Sequence, residues 1–228
     1  YNTLQDFAPV GRVAVAPHVL LASTQVPITT LRELIDYARK HPDQLAYASA
    51  GAGSSAHLAT EVLKHMAGMR ITHVPYKGTA PAYNDLIPGR VAVMVDGAAA
   101  TLPRIQAGQV RALGVTSSER IPILQDVPTI AEAGVPGYDV TPWYGMVAPR
   151  NTPPDIVQTM NAALATALKS DTLTRKFADM GLIAAPDSSS NFVWSSPSSA
   201  AWLACFIRSK SETRFWVAVR SSWSEVLA

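Results

Sequence analysis

The middle of the chain alternates two hydrophobic periodicities. Short apolar runs at Leu45–Ser49, Ile71–Pro75, Val91–Val95 and Arg111–Thr116 read as buried strands. Between them apolar residues recur at helical spacing. Leu31, Leu34, Ile35 and Ala38 form one stripe that Pro42 stops. It opens at Thr30-Leu31-Arg32-Glu33, where the threonine hydroxyl can accept the amide of Glu33 while that carboxylate reaches back. A second stripe, Leu58, Val62, Leu63 and Met66, starts near Ser54 and ends at Gly68. Thr129-Ile130-Ala131-Glu132 repeats the capping spacing in a shorter turn. Strands joined by helices in this rhythm predict an α/β domain with a largely parallel sheet and right-handed crossovers.

Two apolar strands, Gly11–Ala22 and Pro142–Ala148, flank this unit. After the second, Thr152-Pro153-Pro154-Asp155 opens a helix with Ile156, Val157, Met160, Leu164 and Leu168 on one face. Asp171 is the expected cap of a further helix that runs to Met180 and closes at Gly181. Two strands leaving one domain are a hinge candidate, which separates 25–140 from a domain made of 1–24 and 141–228. From Ser188 onward serines crowd together, and four of the five tryptophans (Trp194, Trp202, Trp216, Trp223) fall there. Ala201–Ile207 and Glu212–Val219 keep a weak helical spacing, so C-terminal helices are expected. The stretch reads either as an ordinary C-terminus or as sequence out of frame with its gene.

Composition narrows the function classes. With 228 residues, 48% hydrophobic and 16% charged, the chain can bury a real core. A formal charge of +2 without a run of Lys or Arg gives no reason to expect a nucleic-acid partner. No stretch approaches about eighteen unbroken apolar residues, so a membrane-spanning helix is not expected. The opening Tyr1-Asn2-Thr3-Leu4-Gln5-Asp6 has neither the basic start nor the apolar core of a signal peptide. That fits a cytosolic, a processed or a truncated chain. Cys205 stands alone and cannot make an internal disulfide, so it leaves the compartment open.

The densest chemistry lies in Ser49-Ala50-Gly51-Ala52-Gly53-Ser54-Ser55-Ala56-His57. A strand ends, two glycines turn the chain, and hydroxyls stand at the first turn of a helix. Amides at a helix N-terminus carry about half a positive charge and point outward. Gly53, Ser54, Ser55 and His57 are therefore candidate anion ligands, against the plain alternative that Ser54 only caps the helix. Gly51-x-Gly53-x-x-Ala56 also fits a dinucleotide fingerprint, but that pattern wants an acid about twenty positions on, and Ile71-Thr72-His73-Val74-Pro75 has none. A nucleophile elbow needs the serine between the glycines, and here both serines follow them. His18, His41, His57, His65 and His73 show no metal-ligand spacing, so neither a metal nor a cofactor is expected.

Two more strand ends carry polar groups. Val74-Pro75-Tyr76-Lys77-Gly78-Thr79-Ala80-Pro81 adds Tyr76, Lys77, Gly78 and Thr79, with Thr79 the expected N-cap. Val93-Met94-Val95-Asp96-Gly97 places Asp96 at the end of a buried strand. It is expected to pair with Lys77, to cap the next helix or to meet a ligand donor, capping being the plainest choice. Ligands of open α/β sheets bind outside the carboxyl ends of strands, where these three converge.

Taken in order, these stretches resemble the tripartite tricarboxylate transporter substrate-binding family, which includes the Bordetella uptake proteins. Arg111-Ala112-Leu113-Gly114-Val115-Thr116, Asp126-Val127-Pro128-Thr129-Ile130-Ala131-Glu132-Ala133-Gly134 and Trp143-Tyr144-Gly145-Met146-Val147-Ala148-Pro149 extend the likeness, which covers about 5–187. The resemblance implies a two-lobed periplasmic binding protein fold, type II-like, with mostly parallel sheets and a ligand between the lobes. It implies no catalysis, a small carboxylate ligand (a di- or tricarboxylate, an acidic amino acid or an aromatic acid) and membrane transporter subunits as partners. In the family one carboxylate commonly meets a Pro-Gly-Gly loop after the first strand, and the distal group meets the glycine-serine loop, here Gly53-Ser54-Ser55. That first strand and its loop have no counterpart here, so the first lobe is expected to be incomplete at its N-terminus and frayed around 155–180. Trp143 and Tyr144 either line the cleft or pack the hinge. The rival readings are a nucleotide-dependent enzyme or hydrolase using the Gly51-x-Gly53 loop, and a fragment that folds without binding.

Overall fold

A computed structural model describes residues 2–185 and the strands at 202–207 and 215–220. The chain divides into two compact units, 1–16 with 142–228, and 17–141. The first unit begins with α1 (Thr3–Asp6) and β1 (Phe7–Val15). The second runs β2 (His18–Ser23), α2 (Leu31–Lys40), β3 (Ala46–Ser49), α3 (Ser55–Ala67), β4 (Thr72–Pro75), α4 (Thr79–Leu86), β5 (Val93–Gly97), α5 (Ala98–Gln106) and β6 (Val110–Val115). The chain then returns to the first unit with β7 (Trp143–Pro149), α6 (Pro154–Leu168), α7 (Asp171–Asp179), β8 (Ile183–Ala184), β9 (Trp202–Ile207) and β10 (Phe215–Arg220).

The single strand expected over Gly11–Ala22 is two, parted at Ala16-Pro17. Proline has no N–H for a ladder, and its fixed φ suits a strand's end better than its interior. The domain boundary expected after residue 24 therefore falls at Ala16–Pro17, and β2 belongs to the second unit.

The second unit's sheet has the order β4-β3-β5-β2-β6. β3 runs parallel to β4 and β5, whereas β2 lies antiparallel to β5 and β6. The first unit's sheet, β8-β1-β7-β10-β9, is antiparallel at every pairing. The expectation of mostly parallel sheets is thus corrected to one mixed and one antiparallel sheet. Apolar runs mark strands but carry no sign of direction.

Leu21 and Met94 from the strands share one apolar cluster with Leu86, and Leu20, Tyr47, Leu34, Leu63 and Ile130 are fully buried as well in the second unit. Each such aliphatic side chain contributes about 1.5–3 kcal/mol by leaving water. The expected caps hold this layer in place. Glu33 N–H donates to Thr30 Oγ1 and Thr30 N–H to Glu33 Oε2, each at 3.2 Å. Thr129 and Glu132 make the same reciprocal pair at 3.0 and 2.8 Å. Gly68 closes α3 in the left-handed region (φ 58). Met66, expected inward, is 40% exposed although it continues the spacing of Val62 and Leu63, and it stands in the last turn of α3.

In the first unit α6 touches β1 through Asn161, whose Nδ2 donates to the Val10 carbonyl at 2.7 Å. Val157, Met160 and Leu164 are half-buried and Leu168 is buried, but Ile156 is 47% exposed, one position off that face. α7 is capped by Ser170, whose hydroxyl accepts the Leu173 amide, and not by Asp171, which is already the first helical residue. β9 and β10 stand where helices were expected. Their runs, Trp-Leu-Ala-Cys-Phe-Ile and Phe-Trp-Val-Ala-Val-Arg, are rich in the aromatic and β-branched residues that favour extended backbone. The serine cluster, Trp194 and Trp223 lie outside the described residues.

Candidate anion site at three helix N-termini

β4, β3 and β5 are adjacent and parallel, so their carboxyl ends emerge along one edge of the sheet. Each is followed by a helix, so α3, α4 and α5 begin along that edge with their N-terminal amides leading. The loops are tied together. Tyr76 N–H donates to the Ser49 carbonyl at 3.0 Å and Gly78 N–H to the Ala50 carbonyl at 3.3 Å. Gly53 (φ 77) and Gly78 (φ 108) adopt backbone that side chains disfavour, and a Cβ at either would meet nothing within 4 Å.

Ser54 is the N-cap of α3, its Oγ accepting from His57 N–H at 3.2 Å, and it keeps its own proton to donate. Ser55 follows at the first helical position. Among the described residues the amides of Ser55 and Ala56 donate to no protein acceptor. The Gly53 amide is turned inward, donating to His57 Nδ1 at 3.1 Å. His57 thereby keeps Nδ1 as an acceptor and, when neutral, carries its proton on Nε2.

Behind the glycine loop lies an aromatic stack. The rings of His57 and His73 are 4.2 Å apart, and Tyr47 stacks on His73 at 4.8 Å. Ser49 Oγ lies 2.7 Å from His73 Nε2, donates to the Gly51 carbonyl at 3.1 Å and accepts the Gly51 amide at 3.2 Å. Tyr47 donates its phenol to Glu61, which also takes Lys64 Nζ at 2.7 Å. Burial holds the pKa of His57 below its usual value, and Lys64 adds to this while Glu61 opposes it. Burial also lowers His73, with the His57 ring next in effect. Burial pushes up the Tyr47 phenol, and the bond to Glu61 adds to it. Burial alone would raise Glu61, but Lys64 and Tyr47 together bring it below the usual carboxylate range.

The remaining residues singled out in the sequence divide. Tyr76 donates to Asp85 Oδ2 at 2.7 Å, and burial with that carboxylate pushes its pKa up to about 12. Lys77 is exposed beside it. Thr79 is the first residue inside α4, and the cap position is taken by Gly78, so the expected threonine cap is absent. Gly78's positive φ leaves the threonine one step too far along to cap. Asp96 is buried, with Tyr83 OH donating to Oδ2 at 2.9 Å and the Gly97 amide to Oδ1 at 2.8 Å. It neither caps α5, which begins without a side-chain cap, nor makes an ion pair with Lys77, because the buried phenol of Tyr83 reaches it first. Trp143 starts β7 opposite Val15 and belongs to the first unit.

One residue that the sequence reading passed over stands at this edge. His18, at the start of β2, pairs with Gly97 and holds its Nε2 3.1 Å from Ser55 Oγ. Its backbone is fixed by Thr116, whose Oγ1 accepts the His18 amide at 3.0 Å and whose amide donates to the His18 carbonyl at 2.9 Å. The available signal was a histidine directly after the proline that ends the preceding strand.

Residues 1–193 match the family described as the tripartite tricarboxylate transporter family receptor. Among solved structures the chain is similar to Rpa4515 of R. palustris with adipate, at 42% identity and a TM-score of 0.75, covering 84% of this chain and 64% of that one. It is similar to MatC of Rhodopseudomonas palustris with bound malate, at 38% identity and a TM-score of 0.69, covering 81% and 63%. It is also similar to the periplasmic binding protein BugD, at 34% identity and a TM-score of 0.70, covering 83% and 63%. The chain spans about half the length of most of the curated relatives it matches, 54% of one that is 40% identical over 183 residues. With its matched residues spanning most of both units, the chain belongs to the tripartite tricarboxylate transporter receptor family.

Proposed function

We propose that this chain is a solute-binding protein that captures a small carboxylate in the periplasm, without catalysis, and delivers it to the membrane subunits of a tripartite tricarboxylate transporter. The observation that carries the reading is the start of α3, where the Ser54 and Ser55 hydroxyls stand with two amides that have no protein acceptor among the described residues. A carboxylate offers acceptors only, and bonds from neutral donors to a charged acceptor are stronger than neutral pairs. α4 and α5 begin on the same sheet edge and add their dipoles, while Lys77 supplies a cation beside it. Relatives with adipate and with malate support a dicarboxylate as the ligand class. The likeness to BugD supports the periplasm.

Ser54 is engaged as a cap and the Gly53 amide occupies His57 Nδ1, so within α3 no base is aimed at either serine, and the imidazole at hydrogen-bond range of Ser55 Oγ is that of His18. Calorimetry with adipate, malate, citrate, aspartate and benzoate tests the proposal. Saturable binding of one or more acids, with the acid recovered unchanged, supports it. Tight binding of a nicotinamide nucleotide with no acid bound would return the enzyme reading, and no binding at all would make this a folded but non-binding fragment.

A further inference from the structure

The geometry points to His18 as the residue that makes Ser55 a donor. This rests on the carboxylate reading of the α3 start. Ser55 Oγ and His18 Nε2 are 3.1 Å apart, and the bond between them can run either way. If Nε2 is bare, Ser55 spends its only proton on the imidazole and presents lone pairs to the site. A carboxylate, which has no proton to give at neutral pH, would then meet a repulsive oxygen at the first helical position. If Nε2 carries a proton, it donates to Ser55 Oγ and leaves the serine O–H free to turn toward an anion. The direction of one hydrogen bond therefore decides whether Ser55 attracts or repels the ligand.

The protein holds His18 for this task. Its backbone is pinned on both sides by Thr116, and its register opposite Gly97 sets it at the start of α5, beside a position where a Cβ would meet nothing within 4 Å. The residue is half-buried, and its bond to Ser55 is partly buried with it. His18 is a positioning residue, acting on the ligand through Ser55. Nε2–H serves whether the ring is neutral or cationic, and the second form would add a charge that favours the anion.

Two measurements separate this inference from the reading it rests on. Nitrogen-15 NMR of the ligand-free protein reports the ring's protonation directly. A proton on Nε2 at neutral pH is expected, and a bare Nε2 overturns the proposal whatever the protein binds. Calorimetry with adipate then compares the wild type with His18→Ala, His18→Gln and Ser55→Ala. His18→Ala is expected to weaken adipate about tenfold. His18→Gln, whose amide N–H can stand near Nε2–H, is expected to restore affinity to within about threefold, which a merely structural role would not predict. In a Ser55→Ala background the His18→Ala change is expected to have no further effect. An equal loss in both backgrounds, or no loss in either, overturns the proposal. If the wild type binds no acid while Nε2 is protonated, it is the carboxylate function that fails and the inference falls with it, a result the NMR arm distinguishes from a wrong hydrogen-bond direction.

Discussion

The imidazoles of His57 and His73 stack with their centroids 4.2 Å apart, and each grips one end of the same glycine turn. His57 takes the Gly53 amide and His73 meets Ser49, which in turn holds Gly51. Two adjacent half-buried rings cannot both become cations without cost, and the fold places them so that neither need do so at neutral pH.

Acid should loosen this unit at a predictable point. Both histidines have folded-state pKa values below their ordinary 6.5, chiefly through burial. The unfolded chain then binds protons that the folded one refuses, so stability falls as pH drops below about 6.5. Glu61, Glu33 and Asp85 have lowered values and act in a more acid window, below their ordinary 4.5, 4.5 and 3.8. Urea midpoints should be level above pH 7.5 and decline between 6.5 and 5. His73→Phe, which keeps a ring but cannot titrate, should flatten that decline. A midpoint constant down to pH 5 would mean that the stack does not control it.

Removing both hydroxyls at the start of α3 should weaken acid binding. Ser54→Ala with Ser55→Ala is expected to cost about 1–3 kcal/mol of affinity for the bound carboxylate, measured by calorimetry. Ser54→Ala alone should also lower stability by about 1 kcal/mol, since it removes the bond to the His57 amide. Unchanged affinity in the double variant would reduce both serines to helix architecture.

Tyr83→Phe should cost stability without touching affinity. The substitution leaves the buried Asp96 carboxylate with the Gly97 amide and one donor fewer. A loss of about 1–3 kcal/mol is expected in urea denaturation. If acid binding falls in parallel while the fold remains intact, Asp96 contacts the ligand after all.

Hydrogen exchange should rank the elements by burial. Amides of β3 and β5 and the inner turns of α3 should be the slowest, since Tyr47, Ala48, Val93, Met94 and Leu63 are almost wholly inaccessible. α6 buries only Leu168 and α7 buries no residue, so their amides should exchange orders of magnitude sooner. Equal protection across all of these would contradict the packing.

Much of this was legible in the chain, and what was missed has a common cause. The Thr30–Glu33 box, the α3 start and the strand–turn–helix repeats are encoded within a few residues, and local patterns report them faithfully. Asp96 looked available for a ligand because Tyr83 lies a helix away in sequence, yet its phenol is 2.9 Å from the carboxylate. Tyr76 was read as a site hydroxyl with no sign in the sequence that Asp85 Oδ2 accepts its phenol at 2.7 Å. His18 was passed over because its partner Ser55 is 37 positions distant, and no spacing rule connects them. The direction of β2 and the strand state of 202–207 and 215–220 likewise depend on neighbours supplied from elsewhere in the chain.

Because Tyr83 and Gly97 satisfy Asp96 from within, the edge at the ends of β3, β4 and β5 carries no exposed full negative charge from that residue. What the edge presents is mainly a set of oriented dipoles, hydroxyls and amides, with Lys77 as the cation at the margin. Mobile ions screen fixed charges over about 10 Å at 0.1 M but hardly touch contacts at hydrogen-bond range. On the proposed reading, a trap built this way would keep its grip as the salinity of the surrounding fluid rises and falls.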